Sequence, residues 1–210
     1  MIKKIKEILS NPDEDNEEKR IILIDPSASG STQEPDLRIV GLFSDVNEEK
    51  IADIIHNVIF FNEVNKAAED DSKKDITFYL STYGGNADDM FAMYDMMRIV
   101  REDTDIETIG LGKVMSAGVL LLAAGTKGKR KIGKNCRVMI HAVMGGNHGS
   151  LHNMMNEMEA IEQLQDMYCD ALISETKLTR AKLKKMIERK VNVYLSAEEA
   201  IELGIADEII

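Results

Sequence analysis

Three short stretches of this chain carry residues able to do covalent chemistry. Ser116 stands in GLGKVMSAGVLLLAAG (110–125), with Gly112 before it and Ala117 and Gly118 after it. His141 closes RVMIH (137–141), and Gly84 and Gly85 follow the β-prone run ITFYLST (76–82). A serine hydroxyl becomes a useful nucleophile when a neighbouring base takes its proton, and imidazole is the usual base. A third group must then hold the imidazole in one tautomer. A diglycine turn lets backbone N–H groups approach a ligand closely, as a developing oxyanion or an extended peptide requires. Together the three stretches point to acyl transfer.

Each stretch also has a plainer reading. Ser116 suits the N-cap of a buried helix running through Val119–Ala124. A strand-end histidine is often structural, and diglycine turns are common. His148 and His152 stand four apart, a spacing that could serve a metal, but no carboxylate or cysteine pattern accompanies them. No metal and no cofactor is expected.

The elements that must position these residues follow from the periodicity. A strand is predicted at 37–42. A helix follows over 47–68, with Ile51, Ile54, Ile55, Val58, Ile59, Phe61 and Val64 mostly on one face. ITFYLST alternates and reads as a strand, and 87–101 as a helix whose Met/Phe stripe is core packing. Strands are predicted at 106–110 and 137–141, on either side of the Ser116 turn and a basic, hairpin-like stretch at 126–135. Helices follow at 150–175 and 179–189. A capping box, Ser196 to Glu199, opens a short helix that Gly204 ends, and IADEII closes the chain as a strand. Strands alternating with helices define an α/β protein with a mostly parallel sheet. All three chemical stretches fall at ends of elements, where such folds build sites.

Composition narrows the function classes. With 210 residues and 44% apolar content the chain can bury one sizeable core. A net charge of −11 argues against a nucleic-acid partner. No apolar leader core and no run of about 18 apolar residues is present, so no secretory signal and no membrane partner are expected. Cys136 and Cys169 read as free thiols of a reducing, cytoplasmic setting. Residues 1–35, with an amphipathic start, an acidic run at Asp13–Glu18 and the loop-like PSASGSTQEP, read as an N-terminal extension to a domain of 36–210.

ITFYLSTYGGNADDMFAMYDMM, GLGKVMSAGVLLLAAGTKGKR, RVMIHAVMGG and NVYLSAEEAIELGIADEII, in this order, resemble the ClpP family of self-compartmentalising serine peptidases over about 35–210. The resemblance implies the ClpP/crotonase-like fold, a superhelical spiral of β-β-α repeats with a protruding handle helix, here about 145–175. It places the nucleophile at Ser116 and the base at His141. The oxyanion donors would be the N–H groups of Gly85 and Ala117, with substrate lying along Gly84, Asn86 and Met144. Three positions depart from the family. Tyr83 stands where a proline usually precedes the glycines, and Ala117 where a methionine usually follows the serine. Asn192 stands where the third triad member is usually aspartate; it can accept a hydrogen bond from His141 but adds no negative charge.

The resemblance further implies polypeptide substrates and homo-oligomeric heptameric rings, two of which stack through the handle. It also implies an AAA+ unfoldase partner, although residues 1–35 are unlike the family's short axial loop. A catalytically weak or inactive ClpP-like subunit of a mixed ring is the alternative that Asn192 raises. A specialised processing protease, of the kind a virus encodes, is another. A crotonase-type acyl-CoA enzyme would not use the Ser116/His141 pair.

Overall fold

Alternation in ITFYLST organises the sheet. In the computed structural model, which describes residues 37–210 apart from 147 and 189–191, this run is β2 (Ile76–Thr82). Ile76, Phe78, Leu80 and Thr82 point inward and are buried, while the residues between them are half-buried on the other face. The amphipathic start, the acidic run and the loop-like stretch of residues 1–35 lie outside the described residues.

β1 (Ile39–Leu42) pairs with β2, and β2 with β3 (Ile106–Met115), both in parallel. β3 is twice the predicted length, and it changes neighbours along its course. Its first half pairs in parallel with β4 (Arg130–Ile132), its last three residues with β5 (Arg137–Ile140). Gly112, at φ 64, sits at the changeover, where a side chain would be strained. The basic stretch 126–135 is therefore no hairpin: β4 joins the sheet parallel to β3. β6 (Val193–Leu195) returns antiparallel to β5, and β7 (Glu208–Ile209) adds parallel to β4. One antiparallel pair on an otherwise parallel sheet makes a mixed α/β fold.

Six α-helices are found among the described residues. They are α1 (Glu48–Ala67), α2 (Ala87–Val100), α3 (Ala117–Ala123), α4 (Leu151–Glu175), α5 (Arg180–Ile187) and α6 (Ala197–Glu202). Every residue of α3 is buried, so AGVLLLA forms the centre of the core. Each leucine there contributes on the order of 1.5–3 kcal/mol by leaving water. Met90, Met93 and Met97 of α2 pack into the same core, as the stripe predicts. Ser196 and Glu199 form the expected reciprocal cap of α6, and Gly204 follows it at φ 70.

α1 corrects its predicted face. Ile59, Phe60 and Val64 are exposed, and the buried stripe continues instead through Asn62 and Asn65. These amides are buried because they are bonded. Asn65 accepts from Arg38 and donates to Lys74 O (2.8 Å) and Thr104 Oγ1 (2.9 Å), and Thr104 donates to Asn62 (2.7 Å). A periodicity read from apolar residues alone cannot register such a network. Among the described residues no helix is long and apolar enough to cross a membrane.

Candidate active site

β3 ends in a turn that no ordinary backbone takes. Ser116, between β3 and α3, has φ 53 and ψ −123, the single non-glycine residue with positive φ among the described residues. Such a conformation costs about 1–3 kcal/mol and persists only where its surroundings impose it. Here its N–H donates to Met139 O of β5 (2.8 Å). Its carbonyl accepts from the Val119 N–H (2.9 Å) and from the Tyr168 hydroxyl (3.0 Å). Ser116 occupies the N-cap position of α3, yet its side chain makes no capping bond. The plain reading of this serine as a helix cap therefore fails. The strained turn leaves the half-buried hydroxyl directed at solvent-accessible space.

His141 follows β5 directly. The β3–β5 register pairs Met115 with Met139, so Ser116 and His141 emerge together at the C-terminal ends of adjacent parallel strands. Its Nδ1 lies 2.5 Å from Ala142 O. A carbonyl can only accept, so Nδ1 carries the proton and Nε2 is the unprotonated nitrogen. Among the described residues no hydrogen bond joins Ser116 Oγ to the ring, a common state of a site without substrate.

Asn192 is exposed and stands just before β6. The antiparallel register pairs Val138 with Leu195, Met139 with Tyr194 and Ile140 with Val193. The next step of that register sets Asn192 opposite His141. No hydrogen bond between the two is formed among the described residues, because Nδ1 is turned to Ala142.

The diglycine turn lies at the C-terminal end of β2, beside Ser116. Gly84 has φ 99, and a Cβ there would fall 2.6 Å from Ser116 Cβ and 3.0 Å from the Ala117 nitrogen. Gly85 has φ 151, and a Cβ there would collide with Val46 O at 2.2 Å. The Val46 N–H donates to Gly84 O (2.8 Å), and the Asn86 N–H donates to Val46 O (2.9 Å). Asn86 also caps α2, its Oδ1 accepting from the N–H groups of Asp88 and Asp89. Its backbone and side chain are thus engaged in structure. Among the described residues the N–H groups of Gly85 and Ala117 donate to no protein acceptor, which leaves both for a ligand.

These groups line one cavity of about 540 Å³, which includes Tyr83 to Asn86, Ser116, Ala117 and His141 to Gly146, and is walled by Ile161, Leu164 and Tyr168 of α4. Met144, 82% exposed, hangs at its edge. Asp45, Asp88 and Glu157 also line it, with no lysine or arginine among the described residues. Lys113 is nearby but stacks on the Tyr83 ring, 4.6 Å from its centroid. Asn192 does not line the cavity.

Two groups, one at the site and one at the C-terminal end of α4, escaped sequence reasoning. One is Tyr168, within the predicted helix 150–175, whose hydroxyl reaches the serine carbonyl. The other is Glu175, buried at the end of α4. It accepts from Arg101 Nη2 (2.7 Å) and Tyr94 (3.2 Å) and pairs with Lys127 (2.9 Å). Burial pushes its pKa up, but the hydrogen bonds from Arg101 and Lys127 outweigh that and hold it at about 2. Burial raises the thiols of Cys136, to about 11, and of Cys169. Neither is a nucleophile at neutral pH.

A mostly parallel sheet thus brings a strained serine, a strand-end histidine and two N–H groups without a protein acceptor to adjacent strand ends. The family model for Clp protease matches residues 18–210, and the chain belongs to that family. The match starts inside the stretch that composition sets apart as an N-terminal extension. Members of this family are peptidases of the ClpP type, and the mixed α/β sheet is the fold that membership implies.

Proposed function

We propose that the chain is a serine endopeptidase with Ser116 as nucleophile and His141 as base. The observation that carries this reading is the strained Ser116 turn, held beside His141 and facing two N–H groups without a protein acceptor. In the first half-reaction His141 Nε2 takes the Oγ proton as Oγ bonds to a peptide carbonyl carbon. The carbonyl oxygen becomes an oxyanion held by the Gly85 and Ala117 N–H groups. Collapse breaks the C–N bond, and the leaving amine takes the proton from Nε2. Water then repeats the sequence on the acyl-enzyme, restoring Ser116 and releasing the acid.

Substrate would lie as an extended strand between the Gly84–Gly85 turn and Met144, on backbone groups of Gly85 rather than Asn86. Ala142 O holds the Nδ1 proton of His141, and Asn192, one register step away, would offer it a second acceptor. Homo-oligomeric rings stacked through α4 are supported by its first half, where Leu151, Met154, Met155 and Met158 are exposed apolar residues. In such an assembly the substrates would be polypeptides fed into a chamber. An AAA+ unfoldase would be the feeding partner.

The second reading, a weak or inactive subunit, is favoured by one observation: no carboxylate is bonded to His141 among the described residues. Hydrolysis of fluorogenic peptides separates the two. The proposal expects turnover that Ser116→Ala and His141→Ala each remove. Turnover surviving Ser116→Ala would contradict it.

A further inference from the structure

Tyr168 and Gln165 stand three residues apart on one face of α4, and each touches one side of the reacting pair. The Tyr168 hydroxyl donates to Ser116 O (3.0 Å). Gln165 Oε1 accepts from the Val143 N–H (2.7 Å), two residues past His141, and Gln165 Nε2 donates to Cys169 Sγ (3.3 Å). Residues spaced i, i+3 project to the same side of a helix. One rigid element therefore holds the serine carbonyl and the segment that follows the histidine.

We infer that Tyr168 and Gln165 are positioning residues that set the geometry of Ser116 against His141 through these two backbone contacts. The inference rests on the peptidase reading for its effect on rate, though not for its effect on backbone geometry.

Tyr168 is 4% exposed, and packing alone would be served as well by phenylalanine. A buried phenol costs free energy unless its hydroxyl is bonded, and here the acceptor is the carbonyl of the strained residue itself. That carbonyl already accepts from Val119 N–H, so two donors fix its direction and with it the ψ of Ser116, while the Ser116 N–H bond to Met139 O holds the preceding peptide plane. Gln165 acts likewise on the other side. Its Nε2 on Cys169 fixes which way the amide points, leaving Oε1 for Val143. This holds the path of His141–Met144 along the cavity. Among the described residues α4 buries only Tyr168, Cys169, Ala171, Leu172 and Glu175. The two contacts thus sit where the exposed part of the helix meets the core.

The test uses the full chain carrying Tyr168→Phe or Gln165→Met. Amide exchange at Val119, whose N–H shares the Ser116 carbonyl, should quicken in Tyr168→Phe, while exchange at Leu80 in β2 should not. Peptide hydrolysis by Tyr168→Phe should show kcat reduced about three- to tenfold with KM unchanged, because substrate docks on Gly85 and Met144 and not on Ser116 O. Gln165→Met should instead raise KM, through the freed Val143–Met144 segment. Unaltered Val119 exchange in Tyr168→Phe overturns the inference, as would a kcat equal to that of the parent. Should the parent itself hydrolyse nothing, the peptidase reading falls, and Val119 exchange still decides whether Tyr168 holds the turn.

Discussion

Gly84 and Ser116 approach so closely that a single methyl group on the glycine would fall 2.6 Å from Ser116 Cβ. The same methyl would lie 2.8 Å from Met115 O and 3.0 Å from the Ala117 nitrogen. The diglycine turn thus serves the nucleophile as much as the substrate, since it gives the strained serine room. Gly84→Ala has to displace the Ser116 turn or the β2 end. Misplacement of a reacting group by about 1 Å can cost on the order of 10² in rate. Reaction of Gly84→Ala with a serine-directed phosphonate should be slowed by about that factor while circular dichroism stays that of the parent.

The proton of His141 Nδ1 is held by Ala142 O, so Asn192 is not the sole keeper of the tautomer. Asn192→Ala should therefore leave peptide turnover within about threefold of the parent. Asn192→Asp brings a negative charge one register step from the ring, favouring the imidazolium that forms at the transition state. It should raise kcat by about tenfold, equal to about 1.4 kcal/mol. A loss of turnover in Asn192→Asp would refute this placement.

Glu175 makes acid stability a readout of the root of α4. Its carboxyl titrates at about 2 against an ordinary 4.5, because Arg101 and Lys127 favour the charged form over the cost of burial. A depressed pKa stabilises the folded state fully above 4.5, and the contribution is lost as pH falls from 4.5 toward 2. At about 1.4 kcal/mol per pKa unit it is on the order of 3 kcal/mol at neutral pH. Glu175→Gln should lower stability at pH 7 and flatten the fall between pH 4.5 and 2 in urea titrations followed by fluorescence or circular dichroism.

The exposed methionines of α4 bear on assembly. Met155 and Met158 are 60% and 59% exposed, on a stretch where every residue from Leu151 to Ala160 is exposed. Replacing both by glutamate should leave the melting temperature of the subunit nearly unchanged and shift sedimentation to a smaller species. An unchanged sedimentation coefficient would remove α4 from the assembly contact.

Much of the site was legible because chemistry there depends on residue type at an element end. Ser116, His141 and the two glycines could be read from small residues, a strand-final histidine and β-prone runs. The parallel sheet followed from strands alternating with helices. What stayed hidden rests on long-range polar contacts. Asn62 and Asn65 replace apolar residues in the buried stripe of α1 because Arg38, Thr104 and Lys74 meet them from other elements. Tyr168 looks like one more handle residue until the carbonyl it reaches, 52 positions away, is seen. β3 runs five residues past the predicted Gly110 end, because its last three residues gain β5 as a neighbour. The helix cap that Asn86 forms while lining the cavity is legible from the two aspartates that follow it.

The central claim is that Ser116 forms an acyl-enzyme with His141 as its base. Mass mapping after reaction with a fluorophosphonate tests it most directly. The account predicts one adduct on Ser116, absent in Ser116→Ala and slowed by about 10³ or more in His141→Ala. An adduct on another residue, or labelling that survives Ser116→Ala, would contradict it.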